Sequence, residues 1–212
     1  MMPQAQSNEA RRIAGLAPII PVLVVEDAAK AAPLAEALIK GGLPALEVTL
    51  RTEAALDVIR EMASVDGGMV GAGTLLTPWC VEQAKAAGAT FGVSPGATPK
   101  LIEACISNEL PLLPGAATAT EVMALYEQGY DMLKFFPADA NGGAAALKAI
   151  GAPIPQVAFC PTGGVSPANA KDYLALPNVL CAGGSWVAPK AAVDKGDWAE
   201  ITRLASDAAK LR

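Results

Sequence analysis

Eight short apolar runs punctuate the chain, and alanine-rich stretches with helical spacing fill the intervals between them. The runs are APIIPVLVV (17–25), PALEVTL (44–50), MVGAGTL (69–75), TFGVSPG (90–96), LPLLPGA (110–116), MLKFFPA (132–138), QVAFCPTGG (156–164) and VLCAGGSWVA (179–188). Helices are expected to begin near Asp27, Glu53, Thr77, Thr98, Thr118, Asn141 and Pro167, with a last one near Asp194. Apolar strands alternating with helices predict parallel strands covered on the outside by helices. Eight such units in 212 residues predict an α/β fold of the (β/α)8 TIM-barrel type, with a doubly wound open sheet as the competing arrangement. No linker or low-complexity tract divides the chain, so residues 1–212 are expected to form a single domain, with residues 1–14 as a short N-terminal helix across the end where the strands begin.

Two runs break the apolar pattern with charge. Side chains alternate across a strand, so in LEVTLRT Glu47, Thr49 and Arg51 share one face, and Leu46, Val48 and Leu50 share the other. The leucine–valine face suits packing on helices, which turns the charged face inward. In MLKFF, Met132, Lys134 and Phe136 share a face by the same rule, so Lys134 and Glu47 both point to the interior. A cation in an apolar run costs free energy unless something compensates it. One reading is a structural Lys134–Glu47 ion pair, although apolar replacements of buried pairs are often neutral or stabilising. Another makes Lys134 a phosphate ligand. The sharper reading is nucleophilic: an apolar setting disfavours the ammonium, and the free amine attacks a ketone to form a Schiff base. Glu47 then serves as a proton shuttle and is expected not to be a permanent tight partner of the amine.

Composition narrows the chemistry. The chain lacks histidine, which excludes Ser-His-Asp and Cys-His catalysis and His-rich catalytic zinc sites. Proton transfer must then use Glu, Asp, Lys, Tyr or Cys. A net charge of −5 with 17% charged residues and no basic cluster argues against nucleic-acid or membrane-surface partners. MMPQAQSNEARR has no apolar core of the signal-peptide kind, so a cytoplasmic location is expected. Cys80, Cys105, Cys160 and Cys181 are far apart and read as core residues.

The remaining unusual residues collect at run ends. Glycine lets backbone N–H groups approach an anion closely, and loops after the seventh and eighth strands of such barrels often hold phosphate. CPTGGVSP and AGGSW fall at those two positions. Thr74 ends VGAGT, where it is a candidate to donate to a carboxylate or to cap a helix.

LEVTLRT, VGAGT, SPG, PLLPG, KFFPA, FCPTGG and GGSW occur in the order and spacing of the bacterial 2-dehydro-3-deoxy-6-phosphogluconate (KDPG) aldolases, and the resemblance runs from Pro18 to the last helix. Asp139 stands where that family usually has Glu, and Ala158 where it usually has Arg. The resemblance implies a (β/α)8 barrel assembled as a homotrimer, and a class I aldolase that needs no metal or cofactor. It implies cleavage of a phosphorylated keto acid to pyruvate and glyceraldehyde 3-phosphate in the Entner–Doudoroff pathway, with 4-hydroxy-2-oxoglutarate as a second substrate. Carried onto this chain, Lys134 resembles the Schiff-base lysine and Glu47 the general acid/base. Arg51 and Thr74 resemble the carboxylate ligands, and Pro95 and Phe136 the walls of the pyruvate pocket. Thr162 matches a position tied to substrate stereochemistry, and Gly163, Gly164, Gly184 and Ser185 resemble the phosphate site. The alternatives are the galactonate epimer as substrate, a phosphosugar isomerase or epimerase in which Lys134 is purely electrostatic, and a sensor that binds without turnover.

Overall fold

A computed structural model describes residues 1–212. The strands are β1 (Ile19–Leu23), β2 (Ala45–Thr49), β3 (Met69–Gly73), β4 (Phe91–Val93), β5 (Leu112–Leu113), β6 (Gly115–Ala116), β7 (Met132–Phe135), β8 (Ala158–Pro161) and β9 (Ala182–Gly184). Every pairing is parallel. Six strands make one sheet in the order β5-β4-β3-β2-β1-β9, and β6-β7-β8 make a second. The chain is therefore α/β, with parallel strands curved into a half-barrel. Single parallel bridges join Phe159 to Val179 and Thr162 to Gly183.

The fifth apolar run is split, although its pattern predicts one strand. Pro114 lies between β5 and β6 and has no N–H to donate, while its carbonyl accepts from Lys134 N–H at 2.9 Å. The run changes partners at this proline, from β4 to β7.

Helices return the chain from each strand to the next. Their starts follow the capping residues in the sequence. Thr77, Thr98 and Thr118 accept N–H bonds at the heads of α4 (Pro78–Ala86), α5 (Pro99–Ser107) and α6 (Ala119–Glu127). Thr118 and Glu121 complete a reciprocal capping box. Asp27 caps a short turn that leads into α2 (Ala31–Lys40), whereas α3 (Ala55–Ala63), α7 (Gly143–Gly151) and α8 (Ala170–Leu174) follow their strands without a side-chain cap. The C-terminal end differs from expectation. Asp194 lies inside α9 (Lys190–Lys195), and the last helix, α10 (Trp198–Ala209), starts at the Asp197 cap. Gly196, at φ +67°, breaks the two apart.

The N-terminal residues form α1 (Pro3–Ala14), as expected. Its apolar face, Ala10, Ile13 and Ala14, packs with Ile20, Phe91, Met132 and Ala158 beneath the strands. Its polar face is tied to the residues that precede β7. Ser7 Oγ and Arg11 Nε donate to Asp131 Oδ1 at 2.7 and 2.9 Å, and Tyr130 OH donates to Gln6 Oε1 at 2.8 Å. The larger core lies outside the strands, between them and the helices, and includes Leu46, Val48, Leu133 and Phe135. That is the face assignment the alternation predicts. All four cysteines are free, and three of them are buried. No helix is long and apolar enough to cross a membrane.

Candidate active site

The strand pleat puts the charged faces of β2 and β7 on the inner side. Glu47 and Lys134 are 3% and 5% exposed. Lys134 Nζ donates to Glu47 Oε1 at 3.2 Å, and these are the only two charged residues among the buried ones. Glu47 thus lies closer to the amine than the sequence reading expects, and no third charged residue is buried beside the pair. Lys134 Nζ also sits 5.2 Å from the centre of the Phe136 ring.

Room for the carboxylate comes from the neighbouring strand. A Cβ built at Gly73 on β3 would meet Glu47 Oε1, and would lie 2.7 Å from Cγ and 2.8 Å from Cδ. Gly183 on β9 likewise leaves the space that Thr162 occupies, since a Cβ there would meet Thr162 Oγ1.

Above the pair, a cavity of about 430 Å³ opens at the C-terminal ends of the strands. Its lining includes Glu47, Arg51, Thr74, Pro95, Lys134 and Phe136, together with Thr162, Gly163, Gly164 and Ser185. The structure thus brings together ten of the eleven residues singled out in the sequence. Gly184 is the exception: it does not line the cavity, and its neighbour Gly183 does. The Trp186 ring covers Gly184 where a Cβ would project. Val22, Thr49 and Val165 also line the cavity, and sequence reasoning assigned them no role there. Thr49 shares a face with Glu47 and was detectable by alternation, whereas Val22 and Val165 look like any other core valine.

Arg51 is exposed and enters none of the ion pairs of the chain. Its Nε donates to Thr49 Oγ1 at 3.2 Å, and Thr49 Oγ1 donates to Leu23 O at 2.9 Å, so the guanidinium is anchored on one edge only. Thr74 has φ +62°, an uncommon conformation for a β-branched residue. Its N–H has no acceptor in the chain and lies at the cavity edge. The N–H groups of Gly163, Gly164, Val165 and Ser185 are likewise without acceptors. Consecutive free N–H groups in a concave loop form an anion-binding nest. The site therefore offers a buried amine and carboxylate in contact, a guanidinium from the turn after β2 that is bonded on one edge only, and a neutral anion cradle from the loops after β8 and β9.

A family model described as "Aldolase: KDPG and KHG aldolase" matches residues 11–204. A 2-dehydro-3-deoxy-phosphogluconate aldolase of Pseudoalteromonas atlantica is 53% identical over 192 residues, covering 90% of this chain and 89% of the relative. The crystal structure of the 2-keto-3-deoxy-6-phosphogluconate aldolase of Zymomonas mobilis ZM4 with 3-phosphoglycerate superposes with a TM-score of 0.93 at 48% identity, covering 97% of each chain. That of a KDPG aldolase from Legionella pneumophila, with pyruvate captured at low pH as a covalent carbinolamine intermediate, gives 0.91 at 44% identity, covering 94% of this chain and 98% of that one. With a matching family model over most of its length and relatives this similar across nearly all of it, the chain belongs to the KDPG and KHG aldolase family.

Proposed function

We propose that this chain is a class I aldolase that cleaves 2-dehydro-3-deoxy-6-phosphogluconate to pyruvate and glyceraldehyde 3-phosphate, and also cleaves 4-hydroxy-2-oxoglutarate. The observation that carries the reading is the buried Lys134–Glu47 contact at 3.2 Å, opening into a cavity that also holds an unpaired arginine and a nest of free N–H groups. An amine beside a carboxylate supplies both a nucleophile and a proton carrier. Arg51 and the Thr74 N–H suit the substrate carboxylate, a fork-shaped donor and a backbone donor on one anion. Pro95 and Phe136 provide flat apolar walls for the three-carbon end. Gly163, Gly164 and Ser185 suit the phosphate. Thr162, which directly precedes Gly163 and lines the same cavity, suits the hydroxyl-bearing carbons.

In this mechanism, Glu47 takes a proton from the Lys134 ammonium, the free amine attacks the C2 ketone, and Glu47 returns that proton to the C2 hydroxyl, which leaves as water and gives an iminium ion. Glu47 takes the C4 hydroxyl proton. The C3–C4 bond breaks, its electron pair passes into the iminium to form an enamine, and the aldehyde departs. Glu47 returns the proton to C3, and water hydrolyses the iminium to pyruvate and the lysine ammonium, which restores the pair with the Glu47 carboxylate.

The same reading assigns the fold as one (β/α)8 barrel in a single domain. Two facts support closure: β5 and β6 are separated by Pro114 alone, and the bridges Phe159–Val179 and Thr162–Gly183 link β8 to the β9 segment. A cytoplasmic homotrimer is the proposed working form. Exposed Leu76, Trp79, Met123 and Tyr126 supply apolar surface suited to contacts between subunits, and sedimentation analysis tests the stoichiometry.

Borohydride trapping tests the chemistry. The protein is mixed with pyruvate and reduced, and the added mass is located by peptide mass spectrometry. The expected result is an adduct on Lys134 and none in Lys134→Ala. Folded protein without an adduct rejects the Schiff-base mechanism. Glu47→Gln should still form some adduct while turnover falls by roughly 10²–10⁴.

A further inference from the structure

The anion nest is held by three tethers, and only one of them is a side chain. Thr162 O accepts from Ala138 N–H at 2.8 Å, Gly163 O from Asp139 N–H at 2.9 Å, and Gly164 O from Asn169 Nδ2 at 3.0 Å. In a trans peptide the carbonyl and the next residue's N–H point in opposite directions. Fixing these three carbonyls away from the cavity therefore aims the N–H groups of Gly163, Gly164 and Val165 into it. The first two tethers are backbone to backbone and survive any side-chain change that preserves the chain path. The third depends on one amide.

Asn169 makes a second bond that fixes which way that amide faces. Its Oδ1 accepts from Ser166 N–H at 2.8 Å, so the nitrogen must face Gly164 O, where only a donor is useful. The side chain spans the loop from Gly164 to Ser166 and does not line the cavity. Asn169 also stands at the head of α8, where its side chain could have capped the helix; it makes no such cap bond and braces the loop instead.

We infer that Asn169 is a positioning residue for the phosphate end of the substrate, and that it sets the preference for phosphorylated over unphosphorylated keto acids. This rests on the phosphate reading of the Gly163–Val165 loop proposed above. Lys134, Glu47 and Arg51 do not depend on the brace, so the steps at the pyruvate end should not sense its loss.

The test measures kcat and KM for 2-dehydro-3-deoxy-6-phosphogluconate and 4-hydroxy-2-oxoglutarate in wild type, Asn169→Ala and Asn169→Asp, with pyruvate trapping as a control on the lysine. Loss of one hydrogen bond that orients the nest should raise KM for the phosphorylated substrate roughly three- to tenfold in Asn169→Ala. Its kcat, the constants for the unphosphorylated substrate and the adduct yield should stay within about twofold of wild type, well below the effect of losing that hydrogen bond. Asn169→Asp keeps the acceptor for Ser166 but sets an acceptor against Gly164 O, and should lose at least as much. An unchanged KM for the phosphorylated substrate, equal losses on both substrates, or loss of the pyruvate adduct in both variants overturns the inference. A wild type that turns over both substrates with no preference for the phosphorylated one overturns the phosphate reading itself, and the role of Asn169 with it.

Discussion

Removing either member of the buried pair should cost far more stability than removing both. Lys134 Nζ and Glu47 Oε1 lie 3.2 Å apart, with side chains 6% and 4% exposed, so water screens them little. At that separation, with an effective dielectric constant near 20, their attraction is about 5 kcal/mol. Desolvating the two ions costs several kcal/mol each, which cancels most of the gain. Lys134→Met or Glu47→Gln alone removes the attraction and leaves one buried charge uncompensated, an expected loss of about 3–5 kcal/mol. The double variant Lys134→Met/Glu47→Gln removes the desolvation as well. It should fall within about 1 kcal/mol of wild type, or exceed it by up to about 4. Urea unfolding at pH 7 and a fixed protein concentration reads the four corners of the cycle, with the slope m checked for constancy. All three variants should be inactive or severely impaired in turnover, so stability and activity part company in the double variant. Single variants that each lose less than about 1 kcal/mol, with a double variant equal to their sum, would refute the claim that the two charges are coupled.

Three further outcomes follow from other parts of the molecule. Gly73→Ala places a methyl group against the Glu47 carboxylate, so turnover should drop at least about tenfold while the fold survives; wild-type kinetics would mean that Glu47 is free to move aside. Burial pushes the Asp131 carboxyl up, but bonds from Arg11 and Ser7 outweigh it and hold it below its ordinary value of 3.8. A carboxyl depressed in the folded state stabilises above its unfolded pKa and loses that contribution as pH falls through the folded one, so Asp131→Asn should lose about 1–2 kcal/mol at pH 7 and approach wild type only as pH falls below the ordinary value of 3.8, read by urea titrations across pH. Tyr173 OH is buried without a partner, so Tyr173→Phe should leave the urea midpoint unchanged or raise it, and a loss above about 1 kcal/mol would mean that the hydroxyl is bonded.

Some of this was open to sequence reading for definite physical reasons. Lys134 and Glu47 stood out because a charge in an alternating apolar run must face either solvent or a function, and the leucine–valine face left only the interior. The threonine caps at 77, 98 and 118 marked helix starts because their hydroxyls satisfy N–H groups that the helix itself leaves open. Val22 stayed hidden because apolar wall and apolar core use the same residues, and only the strand register, Val22 opposite Glu47, separates them. Gly183 and Gly184 differ by one place in a strand, where successive positions point to opposite faces. The brace at Asn169 depends on how the loop folds back on α8, and the Ser7–Asp131 bond joins residues 124 positions apart. Neither leaves a periodic trace. The start expected near Asp194 was misplaced because Gly196 ends one helix in the left-handed region and Asp197, three residues past Asp194, caps the next.

The cleared positions on neighbouring strands bear on how such a site can be moved. Glu47 occupies space left by Gly73, and Thr162 space left by Gly183. The transplantable unit is thus a functional residue together with the glycine beside it on the adjacent strand. A designer who copied only Glu47 and Thr162 into another scaffold would deliver the side chains without the vacant volume they need. Inheritance faces the same constraint: a lineage that lost Glu47 could refill Gly73 at little cost, and would then have to empty that position again before the carboxylate could return.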